Sequence, residues 1–239
     1  NTLIGSLAGD AIDTGDENVT VGYNSLTTNT KSFYNVAVGN SALAAHNLTS
    51  DAAGYNTGIG HNAGAAVTTG VNNTFIGALT GDATTTADSN TAVGYASLST
   101  NTTGANAAFG VQCLYYNTTG NLNTAVGRYG AMHKNTTGSS NVALGEQALF
   151  ENTTGDYNVA VGALALDNAS TADNNVAVGH ASLTANTTGE ENVASGTSAL
   201  YYNTTGIGNV GLGYQTLYYN TTASNNVAVG KNALLVNTT

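Results

Sequence analysis

The chain has 239 residues, of which 14 are acidic and only 4 are lysine or arginine, and its formal net charge is −10. This charge excludes the basic face of a nucleic-acid-binding protein and any attraction to anionic membranes. No apolar run approaches the roughly 18 residues of a membrane span. The 41% share of apolar residues indicates a folded chain despite its low complexity.

An asparagine four residues before a glycine recurs fourteen times, mostly at steps of 17 residues. Self-similarity at a short fixed period indicates a repeat architecture. We call each repeat a coil and number its positions from this asparagine. The fourteen asparagines at position 1 are Asn1, Asn18, Asn35, Asn56, Asn73, Asn90, Asn106, Asn123, Asn141, Asn158, Asn175, Asn192, Asn209 and Asn226.

Each coil begins with a segment close to NVAVG, in which valines at positions 2 and 4 flank an alanine. This alternation predicts a short strand with one apolar face, and leucine at position 9 supplies a third apolar contact. The run NTTG predicts a tight turn. Two or three short strands with tight corners fit 17 residues, so we predict an all-β parallel solenoid (β-helix or β-roll) of about 14 coils, spanning 1–239 as one domain.

Stacked coils place like residues over like at about 4.8 Å. The asparagines at position 1 are therefore expected to be buried and to form a ladder of side-chain hydrogen bonds. Glycine at position 5 is expected at a corner where a Cβ would clash or φ is positive. Three coils carry Gly9, Gly64 and Gly81 in place of the leucine, which indicates a local change in cross-section. The coil from Asn35 has four extra residues, which predict a small surface loop.

The NTTG turns also contain glycosylation sequons, and an outward-facing turn would suit a glycan. The candidate positions are Asn101, Asn117, Asn135, Asn152, Asn186, Asn203 and Asn220. The alternative is that NTTG is a favourable corner repeated by duplication. The adjacent threonines of these turns also allow a less favoured hypothesis, an ice-binding array.

Tyrosine pairs at positions 10 and 11, such as Tyr201 and Tyr202, are able to stack on sugar rings or on neighbouring chains. The alternative is that they pack on one another between coils. The sequence shows no non-repeated polar constellation, so it predicts no catalytic residue, no cofactor site and no metal site, and an enzyme is disfavoured.

The strand motif resembles the NSVAIG-type repeat in the head domains of trimeric autotransporter adhesins. Those heads are left-handed parallel β-rolls with three chains side by side. The fuller segment NTAVGYASLSTNTTG, Asn90 to Gly104, resembles repeats of phage tail fibres and bacterial surface proteins. The resemblance implies an adhesive head, a spacer or a fibre shaft. A coil of 17 residues is also able to enclose its own core within one chain.

We therefore expect a structural protein that forms the shaft or filament of an extracellular appendage, located at a cell surface or on a virion. The alternative is an adhesin head or tail-fibre segment that binds a surface glycan. The chain begins and ends within the repeat, so the expected partner is another copy, in a head-to-tail filament or a side-by-side homotrimer.

Overall fold

The structure is a computed structural model of the chain, and it describes residues 1–237. It is all-β in these residues, with no helix, and it forms a parallel β-solenoid with coils of about 17 residues. The predicted fold class is therefore confirmed. The chain divides into two compact units, 1–121 and 122–239. Each unit contributes seven coils.

The first unit contains one long parallel sheet and one short strand pair. The long sheet has the order β1-β2-β4-β6-β7-β8-β9, and β3 pairs with β5 beside the inserted loop. The strands are β1 (Thr2–Ile4), β2 (Val19–Val21), β3 (Ser32–Phe33), β4 (Val36–Val38), β5 (Ala52–Ala53), β6 (Thr57–Ile59), β7 (Thr74–Ile76), β8 (Thr91–Val93) and β9 (Ala107–Val111).

The second unit contains a parallel sheet in which the strands follow chain order. They are β10 (Thr124–Tyr129), β11 (Val142–Leu144), β12 (Val159–Val161), β13 (Val176–Val178), β14 (Val193–Ser195), β15 (Val210–Leu212) and β16 (Val227–Val229). Like lies over like, since Ala160 pairs with Ala177 and Ala177 pairs with Ala194. One column of equivalent side chains therefore runs along the unit at each repeat position.

The strands face the core with their alanine, which is the reverse of the expected orientation. Ala160, Ala177 and Ala194 are fully buried, whereas the flanking Val176 and Val178 are half-buried and exposed. The expectation that the valines supply the core contacts is therefore wrong. The core consists of the alanine at position 3 and the leucine at position 9. A side chain built at Gly211, a position-3 residue, would touch Leu200 of the preceding coil at 3.4 Å.

Two backbone positions explain the glycines and leucines of the repeat. At position 5, Gly162 has φ of +134°, and an added Cβ would lie 2.5 Å from the carbonyl oxygen of Gly179. No side chain fits there. At position 9 the backbone is left-handed whether the residue is leucine, as at Leu183 with φ of 52°, or glycine, as at Gly81 with φ of 57°. Glycine relieves this strain but removes a core side chain.

The coils that carry glycine at position 9 compensate within the core. In the coil from Asn73, Phe75 stands at position 3 in place of alanine and is fully buried. Its ring fills the space beside Gly81, and a Cβ on Gly64 of the preceding coil would lie 2.8 Å from the same ring. In the first coil, Leu3 lies in the same relation to Gly9. The expected change in cross-section is an exchange of volume between positions 3 and 9.

Candidate functional site

The asparagines at position 1 form the predicted ladder within each unit, and we call it the first column. At Asn158, the backbone N–H donates to Asn141 Oδ1 at 2.8 Å, and Nδ2 donates to the carbonyl oxygen of Ala172 at 2.7 Å. Its Oδ1 in turn accepts the backbone N–H of Asn175 at 3.0 Å. The same backbone-to-Oδ1 bond links Asn1 to Asn106 coil by coil, and it links Asn123 to Asn226 in the same way. The ladder is therefore confirmed.

A second column of buried asparagines was missed by the sequence analysis. It lies at the NTTG turn, where Asn203 Nδ2 donates to Asn186 Oδ1 at 3.0 Å and to the carbonyl oxygen of Gly206 at 3.0 Å. Each amide closes its own turn and bonds the preceding coil. The signal was present in the sequence, because these asparagines recur at one repeat position just as those of the first column do.

The second column corrects the predicted glycosylation sites. Asn101, Asn117, Asn135, Asn152, Asn186, Asn203 and Asn220 are all fully buried rather than turned outward. A glycan attached to Nδ2 would have to enter the core and replace these hydrogen bonds. The second threonine of each turn, such as Thr188 or Thr205, projects outward instead. The first threonine is occupied as well, since Thr204 Oγ1 donates to the carbonyl oxygen of Thr221.

The second column is interrupted by apolar residues at two coils. Val67 and Ala169 occupy the position and are fully buried. Among the described residues, three buried side-chain polar atoms make no hydrogen bond: His46 Nδ1, Thr84 Oγ1 and Asn152 Oδ1. All three belong to this column, and each lies one coil from Val67 or Ala169. The orphaned atoms therefore follow from the missing amides.

His46 takes the place of an asparagine in the second column and is fully buried. Its Nε2 lies 2.9 Å from Ser32 Oγ and 3.4 Å from Asn56 Nδ2. Burial lowers the pKa of His46 to about 4, and the backbone of Thr68 offsets this only in part. The imidazole is therefore neutral at neutral pH.

The outward strand residues form two apolar columns on the sheet surface of each unit. In the second unit, position 4 is exposed at Leu144, Val178, Leu212 and Val229. Positions 2 and 4 carry valine, isoleucine, leucine, phenylalanine, threonine, alanine or serine in the described strands, and none of these residues is charged. Exposed apolar patches of this kind mark interaction surfaces, and native sheets that stay unpaired usually carry charges there.

Tyrosines on adjacent coils form stacked pairs outside the strands. In the second unit the rings of Tyr202 and Tyr219 are 5.5 Å apart with planes at 7°. Tyr201 and Tyr218 lie beside them at 5.3 Å. Partial burial and the neighbouring phenols of Tyr202, Tyr219 and Tyr201 raise the pKa of Tyr218. The predicted cross-coil packing of tyrosine on tyrosine is therefore present.

The first unit holds a pair that the sequence did not reveal. The rings of Tyr34 and Tyr55 are 5.3 Å apart with planes at 5°. Both residues directly precede an asparagine of the first column, and the four-residue insertion separates them to 21 positions in sequence. The four rings Tyr34, Tyr55, Tyr202 and Tyr219 are all exposed.

A charged cluster lies on three adjacent coils of the second unit. Lys134 Nζ contacts Glu151 Oε1 at 2.7 Å and lies 5.6 Å from the ring of Phe150. Burial and the neighbouring Glu151 carboxylate raise the pKa of Asp167 to about 6, against the opposing effect of Lys134. This cluster is a local electrostatic feature of one face.

A polar groove of about 320 Å³ opens on the first unit. It lies beside the coil from Asn90, which has 16 residues, one fewer than its neighbours. Its lining includes Asp88, Ser89, Thr103 and Asn121. Asp88 Oδ1 accepts the backbone N–H of Val71. The missing residue therefore leaves a hydroxyl-, amide- and carboxylate-lined notch in the turn region.

Within residues 1–237, no group of three or more histidine, cysteine, aspartate or glutamate side chains is placed to hold a metal ion. The same residues include no helix with the length and apolarity to cross a membrane. Comparisons with protein-family models, with curated proteins and with solved structures found no match to this chain.

Proposed function

We propose that the protein is a structural repeat protein that forms the shaft or filament of an extracellular appendage, in which three copies lie side by side. The observation that carries this proposal is the pair of uncharged apolar columns on the outer sheet surface of each unit. The buried asparagine columns support it as well, because they join each coil to the next with the same set of hydrogen bonds.

The outward columns favour association through the sheet surface. Burial of valine and leucine side chains stabilises an interface by about 25 cal/mol per Å² of apolar surface. Val178 and Leu212 are exposed although they belong to regular strands. A repeat protein that worked as a monomer would be expected to carry polar residues at these positions.

The partner that fits these columns is another copy of this chain. The columns repeat once per coil, so a partner must present apolar groups at the same axial spacing to remain in register along the unit. A second copy has this spacing by construction. Closed symmetric assemblies are the usual outcome when identical chains associate, and the resemblance to trimeric adhesin heads favours three chains.

The test is the molar mass of the purified chain in sedimentation at tens of micromolar concentration. We expect three times the chain mass of 23.9 kDa. The double variant Val178→Glu, Leu212→Glu is expected to sediment as a monomer with an unchanged circular dichroism spectrum, because carboxylates cannot be buried against each other. The matched control is Thr188→Glu, Thr205→Glu, which adds the same charge at exposed turns and should remain trimeric. A wild-type monomer at this concentration would overturn the side-by-side assembly.

The location is tested separately on the native source. Antibodies against the recombinant chain should label fibres on intact cells or virions in electron microscopy, without permeabilisation. Labelling that appears only after lysis would contradict the extracellular role while leaving the assembly result intact.

The second candidate function is a glycan-binding segment of an adhesin or tail fibre. The polar groove at Asp88, Ser89 and Thr103 favours it, because hydroxyl, amide and carboxylate groups in an open notch suit sugar hydroxyls. A glycan array probed with the wild-type chain and with Asp88→Asn, Thr103→Val tests this candidate. Binding that the double variant loses supports it, and equal signals from both proteins count against it.

A further inference from the structure

We propose that the two stacked tyrosine pairs, Tyr34 with Tyr55 and Tyr202 with Tyr219, are sites of oxidative cross-linking, at which hydrogen peroxide and a haem peroxidase join the rings of adjacent coils as dityrosine. Neither pair lies on the apolar columns at strand positions 2 and 4. The proposal therefore does not rest on the side-by-side assembly.

The geometry of the pairs suits a carbon–carbon bond between rings. The ring centroids are 5.3 Å apart in the first pair and 5.5 Å apart in the second, with planes at 5° and 7°. Nearly parallel rings on adjacent coils place their edges side by side, so small side-chain rotations bring carbon atoms beside the two hydroxyls into contact. Tyr201 and Tyr202 instead meet edge to face at 73°, and their adjacent backbones hold that angle.

Access to the oxidant is the second requirement. Tyr34 and Tyr55 are 44% and 56% exposed, and Tyr202 and Tyr219 are 41% and 46% exposed. A peroxidase acts on phenols at the protein surface, and all four rings meet this condition. Of the exposed tyrosines, Tyr157 is 63% exposed and has no stacked ring partner, which makes it the internal comparison.

The chemistry balances with one molecule of peroxide per cross-link. Each phenol loses one electron and one proton and becomes a phenoxyl radical with spin density on the carbons beside the oxygen. The two radicals form a carbon–carbon bond, and the two hydrogens on the joined carbons move to the oxygens as the rings regain aromaticity. The two electrons and two protons removed from the phenols reduce hydrogen peroxide to two molecules of water.

Proximity decides which tyrosines couple. Reacting groups held in position have a large effective concentration, which favours a bond within the chain over a collision between chains. Each cross-link would close a loop of the chain, from Tyr202 to Tyr219 or from Tyr34 to Tyr55, and would restrict the unfolded state as a disulfide does. The modification would therefore tie neighbouring coils together covalently.

The experiment treats the full chain at low micromolar concentration with horseradish-type peroxidase and hydrogen peroxide. Proteolysis with a broad-specificity protease and mass spectrometry then map the linked peptides. We expect two intrachain links, each with the loss of two hydrogens, and a melting midpoint about 5 °C or more above that of the untreated chain. Tyr219→Phe keeps the ring but cannot form a phenoxyl radical, so it should lose the second link and retain the first.

The control variant Tyr157→Phe should leave both links unchanged. Links that join different chains through Tyr157 as often as they join the stacked pairs would overturn the proposal. So would the absence of any link at Tyr34–Tyr55 and Tyr202–Tyr219 after complete consumption of the peroxide. The same peptide map on material from the native source should contain both links, and unlinked tyrosines there would overturn the assignment as a natural modification.

Discussion

Phe75 fills the core space that a side chain on Gly81 would occupy, six residues further along the same coil. In regular coils the arrangement is reversed, with alanine at position 3 and leucine at position 9. The two positions therefore share one volume, and the sequence satisfies it in either of two ways.

The shared volume predicts the effect of exchanging the two residues. Phe75→Ala should lower the free energy of unfolding by about 3–5 kcal/mol, because it empties a fully buried site next to two glycines. The double variant Phe75→Ala, Gly81→Leu restores the regular pattern and should recover a large part of this loss. Urea denaturation measures both variants. Additive destabilisation in the double variant would contradict the shared volume.

The first column predicts a polar contribution to stability at Asn158. Asn158→Ala removes the acceptor for Asn175 and the donor to Ala172, so it should lower the free energy of unfolding by about 1–3 kcal/mol. Asn158→Asp keeps the acceptor and removes the donor, which separates the two contributions. Exposed Asn232→Ala, in the same unit, is the control and should change the stability little. An Asn158→Ala chain as stable as the wild type would show that the column adds nothing.

The break at Ala169 predicts a stabilising substitution. Ala169→Asn supplies an amide between Asn152 and Asn186, so the orphaned Asn152 Oδ1 gains a donor. We expect the free energy of unfolding to rise by about 1 kcal/mol. Ala169→Leu has a similar or larger volume without polar atoms and should not stabilise the unit. If both variants stabilise equally, the gain comes from filled volume rather than from the hydrogen bond.

The buried His46 predicts a loss of stability in acid. Its pKa falls from 6.5 in the unfolded chain to about 4 in the fold, so the unfolded state binds the proton first. The stability is complete above pH 6.5 and declines as the pH falls towards 4, by on the order of 3 kcal/mol. Urea midpoints from pH 7 to pH 4 measure this decline. His46→Asn should remove the His46 part of the slope, and an unchanged slope in that variant would assign the decline to the carboxylates.

The period and the first column could be predicted from sequence because stacking places each repeat position over itself. Asparagine at position 1 therefore implied an asparagine ladder without knowledge of the coil shape. The strand orientation could not be obtained in this way. The alternation of Val176, Ala177 and Val178 shows which residues share a face, but the space left beside Leu183 decides which face is inside.

The turn asparagines were misinterpreted for a related reason. NTTG correctly predicted a turn, but turn chemistry does not say whether the asparagine or the threonine faces the core. At Asn203 the amide points inward, because it bonds both Gly206 and Asn186. The pairing of Tyr34 with Tyr55 was hidden by the insertion between them, which breaks the period at the point where the two rings meet.

The asparagine columns also give the stack a direction. In the first column of each unit, every Oδ1 faces the following coil and every backbone donor faces the preceding one, as at Asn141, Asn158 and Asn175. The amide dipoles therefore align and polarise one another along the column. A coil inserted in the reverse orientation would place donor against donor in the buried interior. Coils that fold onto the stack are thus discriminated by orientation as well as by shape, so the polar interior acts against inverted pairing in a chain whose repeats are otherwise nearly interchangeable.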